Sequence, residues 1–229
     1  MTQTSKAISQ RLKDAGKRFW AGDNISEFIH DGEKEILIDD LAIKFKDVLE
    51  GLVIDVENDP NSMDTGRRLA KMYVNELMSG RYDPRPNATA FPNDSTSAYK
   101  GLLTVRSELK SMCSHHHQPV AGVAYIGIIA GDTLIGLSKY TRIAQWCAKR
   151  GTLQEELAMD IANEIMEATN SENVGVYIQA THGCCENRGI EAHSSLTQTT
   201  VLEGAFAEDP ATKKEFMDNI KLQQQFAPR

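Results

Sequence analysis

No apolar run in the 229 residues approaches the length of a membrane span, and the polar start MTQTSKAISQ carries no signal-peptide pattern. Cysteine is scarce. Cys113, Cys147, Cys184 and Cys185 are too few for a disulfide-dense secreted scaffold. These absences point to a cytoplasmic protein with reduced thiols and no membrane partner. Basic residues are outnumbered, 25 against 32 acids, for a net charge of −7. That balance argues against non-specific nucleic-acid binding but leaves room for a local basic pocket that takes a phosphorylated small molecule. There is no internal repeat. GDTLIGLSK has the glycine spacing of a phosphate loop, yet Leu137 and Ser138 stand where Lys and Ser/Thr are required.

What is present is an ordinary globular composition, long enough for one substantial core with peripheral elements or for two small domains. The first third reads as helical. ISQRLKDAGKRF and EKEILIDDLAIKFKDVLEGLVI set apolar residues at helical spacing, Ile36, Ile38, Leu41, Ile43, Phe45, Val48 and Leu49 among them. In RRLAKMYVNELMSG the stripe is Leu69, Met72, Tyr73, Leu77 and Met78, with Gly80 as the expected stop. RYDPRPNATAFPNDSTS, with three prolines, reads as a loop or arm.

The pattern then changes. AYKGLLTVRSELKSMC and VAGVAYIGII read as strands, and LSKYTRIAQWCAKRG and TLQEELAMDIANEIMEATN as helices, the latter buried along Leu157, Ile161, Ile165 and Met166. NVGVYIQATHGCC alternates, placing Val174, Val176, Ile178 and Ala180 on one face. SSLTQTTVLEGAF is strand-like, and a short helix begins at Pro210. The expectation is an α+β chain: a helical N-terminal portion and connecting arm over 1–96, then strand–strand–helix–helix–strand–strand over 97–229.

Chemistry concentrates in two Cys/His clusters. CSHHH supplies Cys113, His115, His116 and His117, and THGCCENRG supplies His182, Cys184 and Cys185. Thiolate and imidazole are the donors zinc prefers, and a catalytic zinc takes three of them while keeping one position open. Both clusters lie at strand ends, so they can converge at one edge of a sheet. Ser138, Lys139 and Arg142 stand at the start of a helix, a reasonable cradle for an oligophosphate. Gln154 and Glu155 can together read the edge of a purine, the carboxylate accepting from ring N–H and amino donors. Arg188 adds another cation, and Arg67 and Arg68 open a helix where positive charge opposes the dipole.

Read in order, CSHH, VAYIG, IGLSKYTR, LQEEL, HGCCENRG and SSLTQTTVLEGAF resemble the motifs of the GTP cyclohydrolase I family. RRLAKMYVNELMSG is similar to the helix before that family's core, so the resemblance runs from about Asp64 to Phe216. It implies the tunnelling fold, an antiparallel four-stranded sheet with two helices between its strand pairs. It implies zinc held by Cys113, His116 and Cys184, with His115 and His182 as proton-transfer groups. The guanine anchor maps onto Glu155 with Gln154, and the triphosphate contacts onto Arg68, Ser138, Lys139, Arg142 and Arg188. The implied reaction opens the imidazole ring of GTP at C8, releases formate and closes the ring again to 7,8-dihydroneopterin triphosphate, a precursor in folate, biopterin or deazaguanine synthesis. The implied assembly is a homo-oligomer, a decamer in the family, with active sites at subunit boundaries.

The chain departs from the family pattern at several positions. Ser114 replaces a glutamate, His117 an apolar residue, Gly127 a proline and Glu156 an arginine, and Cys185 stands beside the expected ligand. Two alternatives follow. One is a relative that stops at a formylated ring-opened intermediate or takes another guanine nucleotide. The other is a non-catalytic oligomer that binds GTP or a pterin.

Overall fold

The computed structural model describes residues 2–94, 96 and 98–226. The chain divides between Pro84 and Arg85 into two compact units.

The first unit is helical, as its periodicity predicts. Helix α1 (Gln3–Asp14) is capped by the Thr2 side chain, which accepts from Ser5 N–H. A 3-10 turn at Ser26–Phe28 leads to α2 (Glu33–Gly51), then α3 (Thr65–Met72), a π-helical turn (Tyr73–Leu77) and α4 (Ser79–Tyr82). Only part of the apolar set of α2 faces inward. Leu37 and Ile38 are buried, while Ile36, Ile43 and Val48 are exposed.

Two details differ from the sequence expectation. The buried row of α3 and its continuation is Gly66, Ala70 and Val74, whereas Leu69, Met72, Tyr73, Leu77 and Met78 are half-buried. The cause is close approach to α2, since a Cβ on Gly66 would sit 2.7 Å from the Ala42 carbonyl oxygen. Gly80 does not stop the helical path but lies buried inside α4. The path ends at Asp83, whose extended backbone (ψ 147°) is what the following Pro84 requires.

The second unit begins with the arm. The expected loop contains a short strand, β1 (Ala90–Pro92), paired antiparallel with β4 (Thr133–Ile135). Asn93 pins this arm by donating from Nδ2 to the carbonyls of Tyr99 and Gly131, both at 2.8 Å. The main sheet is antiparallel in the order β2–β3–β5–β6, from β2 (Leu102–Met112), β3 (Pro119–Ile129), β5 (Val174–His182) and β6 (Thr197–Leu202). Helices α5 (Leu137–Ala148) and α6 (Gln154–Thr169) lie between the strand pairs in sequence. This is the tunnelling fold the motifs implied. A single turn, α7 (Gly183–Glu186), follows β5, and α8 (Ala205–Glu208) and α9 (Pro210–Phe226) close the chain. The last helix runs 17 residues, longer than expected, and the Asp209 carboxylate caps it by accepting from Ala211 and Thr212 N–H.

Strand alternation sorts the core into two faces. Val174, Val176, Ile178 and Ala180 of β5 join Ala124, Ile126 and Ile128 of β3 beneath α5 and α6. On the other face Tyr125 and Tyr177 meet Phe206 of α8 and Phe216 and Ile220 of α9. Gly127 and Gly175 face each other across β3 and β5. A Cβ on Gly127 would lie 2.7 Å from the Phe216 ring, and one on Gly175 would lie 2.8 Å from Phe206. The glycine that replaces the family's proline thus lets β3 run on to Ile129 beneath two edge-to-face phenylalanines.

Candidate active site

The pairing register brings the two Cys/His clusters to one end of the sheet. Met112 pairs with Pro119, closing the β2–β3 hairpin, and Val120 pairs with His182, the last residue of β5. Cys113 directly follows β2 and is buried, and Cys184 lies in α7 one residue beyond Gly183. The two thiols come within hydrogen-bonding reach of each other. Burial, reinforced by the neighbouring Cys113 and Cys185 thiols, pushes Cys184 up to about 11. The Cys185 sulfur stands 4.0 Å from that of Cys184.

The hairpin turn carries the histidine run. His117 N–H donates to the Cys113 carbonyl at 2.9 Å, and Cys113 N–H to the Gln118 carbonyl at 3.0 Å. His117 occupies the left-handed region, with φ 51°. His115 and His116 are exposed, with ring centroids 6.3 Å apart. Among the described residues no three His, Cys, Asp or Glu side chains are already gathered as a metal-binding group. Two of the three expected zinc donors therefore meet, while the third, His116, sits on the turn beside them. The donor chemistry fits a soft cation. Burial and its thiol neighbours make the Cys184 proton hard to lose, and a divalent ion held between Cys113 and Cys184 would displace the thiol protons and offset the repulsion between the resulting thiolates.

His182 is half-buried, and its Nε2 lies 2.8 Å from Gln154 Oε1 at the start of α6. Burial lowers its pKa below the usual histidine value, against the opposing pull of the Glu155 and Glu186 carboxylates. Glu155, next to Gln154, is exposed. Glu156, at the family's arginine position, accepts from Thr152 Oγ1 at 2.6 Å and so serves the helix start. Arg188 is exposed on the segment after α7.

Three of the expected phosphate contacts lie away from this end of the sheet. Ser138, Lys139 and Arg142 belong to the first turns of α5, which follows β4 on the side where β3 ends. The last turn of α5 reaches the hairpin end, where Ser111 Oγ donates to the Ala148 carbonyl at 2.6 Å. Ser138 lies roughly 15 Å further back along that helix at 1.5 Å per residue. The N-cap of α5, Gly136, makes no side-chain capping bond. Arg68 belongs to the first unit, exposed on α3 with its guanidinium 3.6 Å from Asp64. Sequence reasoning passed over Thr197 and Thr199, which receive the Gln154 amide, because only the β5–β6 pairing places them there.

Known proteins resemble this chain over most of its length. The family described as GTP cyclohydrolase I matches residues 42–221. A GTP cyclohydrolase 1 from Flavobacterium johnsoniae is 38% identical over 202 residues, covering 86% of this chain and 86% of its own. Proteins of the same name from Shewanella denitrificans and Aeromonas salmonicida are 35% and 36% identical, over 77% and 76% of this chain and 81% and 79% of theirs. Among the described residues, no helix is long and apolar enough to cross a membrane. With relatives this similar over most of its length and the family pattern spanning its core, the chain belongs to the GTP cyclohydrolase I family.

Proposed function

We propose that the chain is the hydrolase that opens the imidazole ring of GTP at C8, releases formate and forms 7,8-dihydroneopterin triphosphate. The observation that carries this reading is the meeting of Cys113, Cys184 and His182 at one sheet end in a chain of this family. Cys113, Cys184 and His116 would hold a zinc ion, which when bound supplies Lewis-acid activation of water for attack at C8.

The chain's own residues do the rest. His182, kept neutral by burial near neutral pH, is suited to take a proton beside the reacting ring, and His115 on the hairpin is the second proton-transfer group. Glu155 anchors the guanine edge by accepting from ring N–H and amino donors, with Gln154 behind it. Ser138, Lys139 and Arg142 at the uncapped start of α5, with Arg188 and Arg68, bind the triphosphate. These cations give a net acidic protein a local site for a highly charged substrate.

The separation of Ser138 from the thiol end supports a homo-oligomer in which neighbouring copies complete each site, and a decamer is the assembly we infer. Four unbridged cysteines suit a reducing cytoplasm. Incubating the zinc-loaded protein with GTP, and assaying formate together with the fluorescent oxidised pterin, tests the activity. Both products are expected in equal amounts, and absence of both with zinc present refutes the reading.

A further inference from the structure

Gln154 is the first residue of α6 and only 4% exposed, so its carboxamide has to find partners inside the protein. Its Nε2 faces the backbone carbonyls of Ile178 at 3.5 Å and Thr197 at 3.3 Å, and Thr199 Oγ1 at 3.2 Å. Carbonyl oxygens only accept. Turning the amide over would set its oxygen against two of them and leave buried acceptors unpaired. The amide orientation is thereby fixed, with Oε1 directed at His182 Nε2 across 2.8 Å. That oxygen also only accepts, so His182 Nε2 carries the hydrogen. In the neutral ring the lone pair is then left on Nδ1.

We propose that Gln154 is the positioning residue of His182. Anchored on β5 and β6, it locks the imidazole in its Nε2–H tautomer and fixes the ring plane, so that proton transfer runs through Nδ1. Thr199 and the two strand carbonyls act one step further back, by holding the amide. The inference rests on the reading of His182 as a proton-transfer group. It gives Gln154 a different task from the purine-edge contact expected of it, since both amide hydrogens and the oxygen are engaged within the protein. Reading of the guanine edge falls to the exposed Glu155 alone.

Steady-state kinetics of Gln154→Met, His182→Ala and the double variant, each checked for assembly, test the proposal. Gln154→Met is expected to lower kcat by about 10- to 100-fold, part of the roughly 10²–10⁴ that a positioned proton-transfer group supplies, with KM for GTP little changed. The double variant is expected to be no slower than His182→Ala, because the whole effect of Gln154 passes through that ring. A raised KM with kcat preserved, or losses that multiply in the double variant, would overturn the proposal in favour of direct contact with GTP. Full turnover by His182→Ala would instead remove the proton-transfer reading itself, so the two failures are distinguishable. If Gln154→Met does not assemble, imidazole 15N shifts of the unaltered enzyme decide. With His182 assigned by its loss in His182→Ala, a protonated Nε2 and a bare Nδ1 are expected, and the reverse tautomer or an even mixture overturns the proposal.

Discussion

Replacing His117 by glycine and, separately, by valine separates a backbone role from a metal-ligand role for the third histidine. The residue sits at φ 51° in the turn that closes β2 onto β3 and donates its N–H to the Cys113 carbonyl. An L-residue in this region costs about 1–2 kcal/mol, the upper end applying to a β-branched side chain. Glycine avoids that cost but gives back about 0.5–1 kcal/mol in backbone entropy. Both variants lack the imidazole, so whatever the ring contributes cancels between them. The glycine variant is expected to be the more stable of the two by about 1 kcal/mol, roughly a fivefold difference in the folded-to-unfolded ratio. Urea unfolding at equal protein concentration measures the difference, since assembly makes midpoints depend on concentration. Zinc per chain, measured on the same samples, is expected to equal that of the unaltered protein in both. A valine variant at least as stable as the glycine one would refute the backbone argument. Loss of zinc from both folded variants would make His117 a ligand.

The neighbouring thiols should separate cleanly. Cys184→Ala is expected to lose bound zinc and Cys185→Ala to keep it, because Cys184 is the thiol in reach of Cys113; full zinc content in Cys184→Ala would assign the ligand to Cys185. Gly127→Ala places a methyl 2.7 Å from Phe216 and 2.8 Å from Phe206, both fully buried. Overpacking of this kind costs about 1–3 kcal/mol, so a lower unfolding midpoint is expected, and an unchanged one would mean that α9 shifts freely on the sheet.

Much of the architecture was legible locally. Period-two alternation in NVGVYIQATH put Val174, Val176, Ile178 and Ala180 on one face, and the structure buries all four under α5 and α6. Helical period marked α2, α5 and α6 for the same reason: side-chain direction repeats with the backbone, so a half-buried element writes its period into the sequence. The seam of α3 was not legible, because its buried row is set by how closely α2 approaches Gly66 rather than by which residues are most apolar. The strand in the arm was missed because its partner, β4, is distant in sequence.

The functional residues divide along the same line. Residue chemistry alone nominated the two Cys/His clusters, Gln154 with Glu155, and the cations; the resemblance to the family implied which members act, Cys113, His116 and Cys184 for zinc and His115 and His182 for proton transfer. The sequence by itself therefore determined the strand and helix periods, the donor types and the family they resemble. Only tertiary structure decided that Cys113 meets Cys184, that His117 serves the turn, that Gln154 faces His182, and that Ser138 lies away from the thiol end. The meeting of Cys113 with Cys184 and of Gln154 with His182 depends on the pairing of β5 with strands far from it in the chain. Register is settled by which faces pack together, and no local stretch of sequence contains that information.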